Sequence, residues 1–363
     1  MRHPASRWSA AAACAAILLV WLLVPGQQST ASAFHAYAKA IVSAQSARFD
    51  AEVTIEGQPK QVFHGTYLAP GKYRQEFPNL VNVVDFGAKT ILNLIPLQKK
   101  ATIMRLEGDH LRDASGDWFD RMRELLAKPA DQPDAQFERL GHREIGGIVT
   151  EGFRYDTAAG SLTMWGDPQT GQPVQIEQVF SGIPRSEVVL TNFVLNVELD
   201  PAQFSITPPA EYSVQSFDVD TSPPTEADLT AGLRTAAELN GGQFLDKLDT
   251  ASMQQAIISS VLKTGQPPSD EQMAVLMKQA LTVGRGLSFV LNRRPEEIEA
   301  FYAGQGVKLG TVGVPLLWYR LSGATHYRVI FADLATGDAA TPPEVPGAQR
   351  IEKTNSAPLG PQP

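Results

Sequence analysis

The feature that most constrains this chain is a series of short segments in which apolar and polar residues alternate. From Phe49 to Glu56 every second residue is apolar and the residues between are polar. Side chains of a strand point alternately to its two faces, so this pattern predicts a half-buried β-strand. Similar segments follow at intervals of about ten residues, separated by turns such as Gly57–Pro59 and Pro70–Gly71. Because short turns join antiparallel strands, the series predicts an antiparallel meander.

Two helices are predicted alongside about ten or eleven such strands. Apolar residues between Phe34 and Ser46 recur at spacings of three and four, which predicts an amphipathic helix with one face to bury. A short helix, Trp118–Leu126, is predicted in an insertion that interrupts the strands. A sheet of this width is expected to curl through its right-handed twist, with the first helix available to plug its apolar concave side.

The segment Trp165–Ile176 predicts a hairpin with a tight turn. Asp167-Pro168 opens the turn, because proline fixes φ near the value that the second turn position requires. Gly171 can supply a positive φ near the exit, where a Cβ would clash. The hairpin defines two neighbouring strands and reveals no function on its own.

The order of these motifs resembles that of LolA-like proteins. After the helix and the first strand come Tyr67–Arg74 (YLAPGKYR) and Asp85–Pro96 (DFGAKTILNLIP). The hairpin is similar to the superfamily's W-x-D-P-x-T-G-x-P-V signature, and Phe204–Tyr212 (FSITPPAEY) is similar to its closing F-x-F-x-P-P segment. The superfamily includes periplasmic carriers that sort outer-membrane lipoproteins, mycobacterial lipid-binding proteins and a sensor that binds an anti-sigma factor. The resemblance covers about half of the chain and implies an α+β fold over residues 34–215, an unclosed antiparallel β-barrel that wraps around helices and encloses a hydrophobic cavity.

One position departs from the family's pattern. In the lipoprotein carriers, an arginine that helps to gate the cavity lid stands just before the proline of the third strand's turn. Here that position is Ala69, before Pro70, and Arg74 aligns with a different position. The resemblance therefore supports the fold and does not support strict identity with the lipoprotein carrier.

Residues 1–33 have the organisation of an export signal. A positively charged start is followed by the apolar run Ala10–Val24, which suits a signal-peptide core and is short for a membrane span. Ala31-Ser32-Ala33 fits the small-x-small pattern read by signal peptidase. We expect cleavage after Ala33, and the alternative is that the segment stays as an uncleaved membrane anchor. Both place the rest of the chain in the periplasm or on the outer face of the cytoplasmic membrane.

Charge and cysteine content exclude several classes of protein. The formal net charge is −8 and the pI is about 5.3, and Lys and Arg form no cluster, so nucleic acid is not expected as a partner. The only cysteine, Cys14, lies inside the apolar run rather than after it, so lipid attachment there is not expected. A chain cleaved after Ala33 has no cysteine, which excludes disulfides and thiolate metal sites.

A second, smaller α+β domain is predicted over residues 226–340, after a linker at 216–225. Its helices are predicted from Thr225 to Asn240, over Ser252–Lys263, and from Ser269 to Asn292, where Ser269 and Gln272 form a capping box. Its strands are predicted at Val314–Arg320 and His326–Ala332. A faint resemblance to pseudopilin heads supports only the α+β class. Residues 341–363 are proline-rich and are predicted to be disordered.

No catalytic or metal-binding motif occurs in the sequence. His-Glu-x-x-His and Gly-x-Ser-x-Gly are both absent, and the histidines do not occur at metal-ligand spacing. Asp113, Asp117 and Asp120 could act as acid and base, but acidic residues also favour the start of a solvated helix. We therefore predict a protein that is not an enzyme and has no cofactor or metal.

The predicted ligand contacts are apolar. Seven side chains are expected on the concave face, lining a hydrophobic cavity: Phe49, Val53, Phe63, Tyr67, Tyr73, Phe77 and Trp165. The alternative is that they form ordinary core against helix 34–46, because small barrels often fill with their own side chains.

Two functional hypotheses correspond to these alternatives, an open cavity and a filled core. The first is an exported, non-enzymatic carrier of a hydrophobic ligand such as the acyl chain of a lipid or lipoprotein. The second is a periplasmic sensor or interaction module that recognises a protein partner, for instance an envelope-stress regulator. An empty apolar space between sheet and helix would favour the carrier, and a filled space would favour the interaction module.

Overall fold

A computed structural model describes residues 30–108, 119, 122–123, 126–127, 137–157, 160–180, 186–262, 269–293 and 296–351. The core of the predicted export signal, Asp113, Asp117, Asp120 and the residues after 351 lie outside these ranges. Most of the predicted helix Trp118–Leu126 also lies outside them.

One large sheet dominates the first part of the chain, and its strand order is β12-β6-β5-β4-β3-β2-β1-β11-β10-β9-β8-β7. The strands are β1 (Ser46–Ile55), β2 (Gln61–Leu68), β3 (Lys72–Phe77), β4 (Leu80–Asp85), β5 (Thr90–Ile95), β6 (Lys100–Glu107), β7 (Glu138–Ile145), β8 (Ile148–Thr157), β9 (Gly160–Asp167), β10 (Gln172–Phe180), β11 (Ser186–Leu195) and β12 (Ser213–Asp220). β1 pairs antiparallel with both β2 and β11. Two meanders, β1–β6 and β7–β11, therefore meet at β1, and the predicted unclosed, mostly antiparallel sheet is confirmed.

β12 corrects the predicted linker. Residues 213–220 pair with β6 along its whole length, and the two strands are parallel. The strands are parallel because the chain leaves β11, crosses one face of the sheet and returns at its far edge in the direction of β6. A parallel neighbour requires such a long connection, whereas short turns predict only antiparallel neighbours.

The predicted hairpin joins β9 to β10. The Gly171 N–H donates to the Asp167 carbonyl at 2.8 Å, and Gly171 has a φ of 69°. The Asp167 carboxylate accepts from the Gln169 N–H at 2.8 Å and from the Thr170 hydroxyl at 2.9 Å. Asp167 thus fixes the turn through its side chain as well as its backbone.

One helix, α1 (Thr30–Ser43), packs on one face of the sheet, called the inner face here. It begins four residues before the predicted Phe34 and so continues through the predicted cleavage position after Ala33. It ends before the predicted Ser46, because Ser46 already belongs to β1.

The opposite face, called the outer face, has its own small core. The connection from β11 to β12, including the 3₁₀ helix Pro201–Phe204, crosses β3–β6 on this side. Its Phe204 is buried against Val83, Leu92 and Ala101. The predicted closing segment therefore covers the outer face of the sheet.

The second domain places three helices on a five-stranded antiparallel sheet of order β16-β15-β14-β13-β17. Its elements are α2 (Glu226–Leu239), α3 (Thr250–Leu262), α4 (Asp270–Leu291), β13 (Ile298–Tyr302), β14 (Pro315–Leu321), β15 (Tyr327–Phe331), β16 (Thr336–Ala339) and β17 (Gln349–Arg350). Both residues of β17 pair with β13, so the predicted disorder of 341–363 is wrong for Gln349 and Arg350. Two apolar side chains of the same stretch, Val345 and Ala348, pack on the face of the sheet around Trp318.

Among the described residues, α4 alone has the length and mean hydropathy that would suffice to cross a membrane. In this structure its second half packs closely on α2. The Cα atoms face each other at Gly232 and Gly286, where a Cβ on Gly286 would lie 2.3 Å from the Asp228 carbonyl oxygen. Val283, Leu287 and Val290 of the same helix are buried in the core of the domain.

The domains are joined by ion pairs around Arg285 of α4. Its guanidinium lies 2.9 Å from the Asp220 carboxylate at the end of β12 and 3.0 Å from Asp228 of α2. It also donates to the backbone carbonyls of Asp220 and Ser222, at 2.8 and 3.0 Å. Hydrogen bonds from Ser222, and then the charge of Arg285, hold the pKa of Asp220 below its usual value.

Candidate functional site

The inner face of the large sheet divides into two halves. The covered half consists of the inner-face residues of β1, β2 and β8–β11, on which α1 packs. Phe34 and Tyr37 of α1 are buried against Phe153. The centroid of the Phe34 ring lies 5.8 Å, and that of the Tyr37 ring 6.0 Å, from the centroid of the Phe153 ring, and Tyr37 is 0% exposed. Tyr37 fits because Gly166 lies beneath it, where a Cβ would come within 2.5 Å of the ring. Burial, followed by the charges of Glu151 and Asp167, raises the pKa of Tyr37, so its hydroxyl remains protonated.

Side chains of the insertion fill the rest of the covered half. Phe119, Met122 and Leu126 are helical and fully buried. The Phe119 ring stacks on Phe49 with centroids 5.9 Å apart and lies 4.8 Å from the Tyr67 ring. Phe49 and Tyr67 therefore pack against the protein's own aromatic side chains.

Arg123 fastens the insertion to α1 and β2. Its guanidinium donates to the Val42 carbonyl at 2.7 and 3.1 Å and to the Tyr67 hydroxyl. Val42 is in the last turn of α1, so the cation also satisfies a carbonyl that the helix leaves without an internal partner. This contact helps to hold Phe119 over β1 and β2.

Six of the seven predicted contact residues lie on the inner face. Phe49, Tyr67 and Tyr73 are buried in the core of the covered half, and Val53 and Phe63 are partly buried against it. Phe77 is partly exposed, and its ring centroid lies 4.9 Å from that of Phe63. That these residues bind a ligand stays a prediction.

The seventh, Trp165, lies on the outer face, which corrects the predicted position. Its neighbours in β9, Met164 and Gly166, point toward α1, so Trp165 points away. Its ring lies over Gly152 and beneath the guanidinium of Arg143, which is 4.2 Å from the ring centroid. Arg143 also pairs with Glu177 at 3.0 Å, so a cation on the outer surface explains why Trp165 is only 7% exposed.

The exposed half of the inner face consists of the inner-face residues of β4, β5, β6 and β12, with Gln75 and Phe77 of β3. The strand register aligns one polar row across these five strands: Gln75, Asn82, Asn93, Thr102 and Gln215. Neighbouring strands lie about 4.8 Å apart, so the row extends for roughly 19 Å. It is called the polar row below.

An apolar row runs beside the polar row, two residues away from it on each strand. Its members are Val84, Ile91, Met104 and Phe217, and they continue from Tyr73 of β3. All four are partly exposed, and Val84 also packs against the core of the covered half. The corresponding side chains of the covered half, such as Met164 and Phe153, are buried. The exposed half therefore offers an apolar strip beside a strip of amide and hydroxyl groups.

The second domain borders one end of the polar row. The Gln215 side-chain amide donates to the Asp270 carbonyl at 2.9 Å. Lys100, which lies on the inner face beyond Thr102, contacts the Asp270 carboxylate at 2.5 Å. The first turn of α4 thus neutralises the cation nearest to the row.

The described residues contain no group of three or more His, Cys, Asp or Glu that could hold a metal ion. The charged groups of the large sheet mostly form pairs with one another. One example is His64 with Asp50, 2.5 Å apart, where hydrogen bonds from Asn192 and His64 lower the pKa of the Asp50 carboxyl.

The polar row and the insertion contacts are absent from the predicted site. Asn82 and Asn93 belong to different segments, and only the register of β4 and β5 shows that they are neighbours. The available signal was the pair of asparagines within otherwise apolar strands, where an amide is unusual.

No family model and no curated protein matches the chain. Among solved structures, it is similar to LprF from Mycobacterium bovis, with 14% identity, a TM-score of 0.34, and coverage of 50% of this chain and 97% of that chain. It is similar to the lipoprotein LppX of Mycobacterium tuberculosis, with 12% identity, a TM-score of 0.32, and coverage of 47% and 96%. A putative outer membrane lipoprotein-sorting protein domain from Vibrio parahaemolyticus aligns with 12% identity, a TM-score of 0.23, and coverage of 46% and 92%.

Proposed function

We propose that the protein is a non-enzymatic binding protein that holds a hydrophobic ligand, such as the acyl chain of a lipid or lipoprotein, along the exposed half of its inner face. The observation that carries the proposal is the partly exposed apolar row of Val84, Ile91, Met104 and Phe217. Each CH₂ of an acyl chain buried against such a surface contributes about 0.8 kcal/mol, so binding needs no further chemistry.

The packing of the covered half explains why the exposed half is the better candidate. A chain that entered between Phe49 and Tyr67 would have to displace Phe119, whose ring stacks on Phe49 and packs against Tyr67. It would also break the contacts of Arg123 with Val42 and Tyr67. The exposed half can receive a ligand without these losses.

The location follows from the N-terminal segment. Residues 1–33 act as an export signal or remain as an anchor, and the domains work in the periplasm or on the outer face of the cytoplasmic membrane. Lipids, lipoproteins and membrane-associated proteins are the partners available there.

The test is native mass spectrometry of the protein purified from its source, together with titration of an apolar fluorescent dye. We expect co-purified lipid and saturable dye binding. Met104→Asp should weaken dye binding about tenfold, because it places a charge in the apolar row. The matched control is Val62→Asp, on the outer face of β2, which should leave binding unchanged. If no lipid co-purifies and no dye binds, the carrier function is wrong.

A second candidate function is recognition of a protein partner, as in the sensor hypothesis. The filled covered half favours it, and so do exposed apolar side chains on α3 and α4: Ile258, Met273, Val275 and Met277. Exposed apolar side chains can mark interaction surfaces in soluble proteins. Cross-linking in intact cells tests it, since a partner bound at this surface should be lost with Val275→Asp and kept with Met104→Asp.

A further inference from the structure

Asn82 is the least expected residue of the exposed half. Its side chain is in the middle of the polar row and is 7% exposed. Its Nδ2 donates to Asn93 Oδ1 at 2.9 Å, but its own Oδ1 is buried and has no hydrogen-bond partner among the residues that the structure describes. Buried amide oxygens are nearly always paired in folded proteins, so this oxygen is available to a donor from outside the chain.

The groups around Asn82 define what such a ligand must offer. The row contains amides and one hydroxyl, which both donate and accept, so a ligand with a hydroxyl donor and carbonyl acceptors can satisfy it. The unpaired Asn82 oxygen specifically requires the donor.

The charges on this face restrict the ligand headgroup further. On the inner face of β3–β6 and β12, all of which are described, Lys100 is the only charged side chain, and it is paired with Asp270. A phosphate or carboxylate placed on the row would lose its hydration without gaining a free cation. The row therefore suits an uncharged group.

We infer that the polar row is a headgroup site that selects neutral lipids bearing a free hydroxyl and ester carbonyls, of which a diacylglycerol is the simplest. The hydroxyl donates to Asn82 Oδ1, the carbonyls accept from the amide and hydroxyl groups of the row, and an acyl chain lies along Ile91 and Met104. The inference rests on the proposed function, because it names the ligand class of the same site.

The test compares two lipids with the same acyl chains, dioleoylglycerol and dioleoyl phosphatidic acid, in which a phosphate replaces the hydroxyl. Each is delivered to the full-length protein in detergent micelles and measured by displacement of the apolar dye. The expected result is that the diacylglycerol binds at least about tenfold more tightly.

Variants separate the headgroup site from the apolar row. Asn82→Leu should weaken diacylglycerol about tenfold and leave the dye affinity unchanged, since the dye needs only the apolar row. Thr102→Val, a milder change on a partly exposed residue, should weaken diacylglycerol in the same direction and keeps the test informative if Asn82→Leu misfolds. Thr66→Val, on the outer face of β2, is the control and should have no effect.

The outcomes test the headgroup site separately from the carrier function. If the dye and both lipids fail to bind, the proposed function is wrong. If the dye binds while phosphatidic acid equals or exceeds diacylglycerol, or if the two row variants leave lipid binding unchanged, the headgroup site is wrong and the carrier function stands.

Discussion

The two halves of the inner face are built from the same alternating strands and differ in what covers them. In the covered half, α1 and the insertion bring Phe34, Tyr37 and Phe119 against the sheet, and most of its inner side chains are buried. In the exposed half, the same alternation places Ile91 and Met104 at a surface that stays partly exposed. Alternation thus sets which face is apolar, while helices that come from elsewhere in the chain decide whether that face is buried core or partly exposed surface.

The largest expected difference between the halves is in matched methionines. Met164 in β9 is 0% exposed, and Met104 in β6 is partly exposed. Met164→Ala should lower the free energy of unfolding by about 2–5 kcal/mol, because it leaves a cavity in a closed core. Met104→Ala should cost about 1 kcal/mol, because less area is lost from the interior. Urea denaturation followed by circular dichroism measures both, and equal losses would contradict the distinction.

A smaller effect is expected where the covered half has no spare room. Gly166→Ala places a Cβ 2.5 Å from the Tyr37 ring, so α1 must shift, and the free energy of unfolding should fall by about 1–3 kcal/mol. The control is Gly284→Ala in α4, where a Cβ meets nothing within 4 Å. There alanine should be neutral or stabilise by up to about 1 kcal/mol, because it favours the helix. A neutral Gly166→Ala would mean that α1 is not packed as described.

The second domain differs from both halves of the large sheet, because an ion pair between Glu226 and Arg328 contributes to its stability. Hydrogen bonds from Arg328, and next from Tyr319, hold the pKa of Glu226 below its usual value despite the opposing effect of burial. A lowered folded-state pKa means that the stabilisation is present above the pKa of the unfolded chain and is lost as pH falls through the folded value. We expect Glu226→Gln to cost about 1–2 kcal/mol at pH 7 and to flatten the loss of stability below pH 4.5, measured by urea denaturation at several pH values. An unchanged slope would show that Glu226 is not the titrating group.

Much of the sheet could be predicted because its local signals agree with its final structure. The unbroken alternation from Phe49 and the turn chemistry of Asp167 and Gly171 each correspond to a strand or a turn in the structure. β12 was missed because prolines on both sides and a polar composition made it resemble a linker, and only pairing with β6 makes it a strand.

The site was predicted less well for physical reasons. β9 is buried on both faces from Leu162 to Gly166, so alternation could not tell which side Trp165 occupies. The polar row depends on register between strands, as for Asn82 and Asn93, and a single sequence does not give that register. The filling of the covered half depends on Phe119, which contacts Phe49 across a long stretch of chain.

Where a ligand lies on the inner face is tested most directly by photocross-linking with a diazirine-bearing fatty acid, with the labelled peptides mapped by mass spectrometry. We predict saturable labelling of β5, β6 and β12, around Ile91, Met104 and Phe217, which an excess of unlabelled lipid removes. Labelling centred on Phe49, Phe119 or Phe153 would contradict it, because the ligand would then occupy the half that the protein fills with its own side chains.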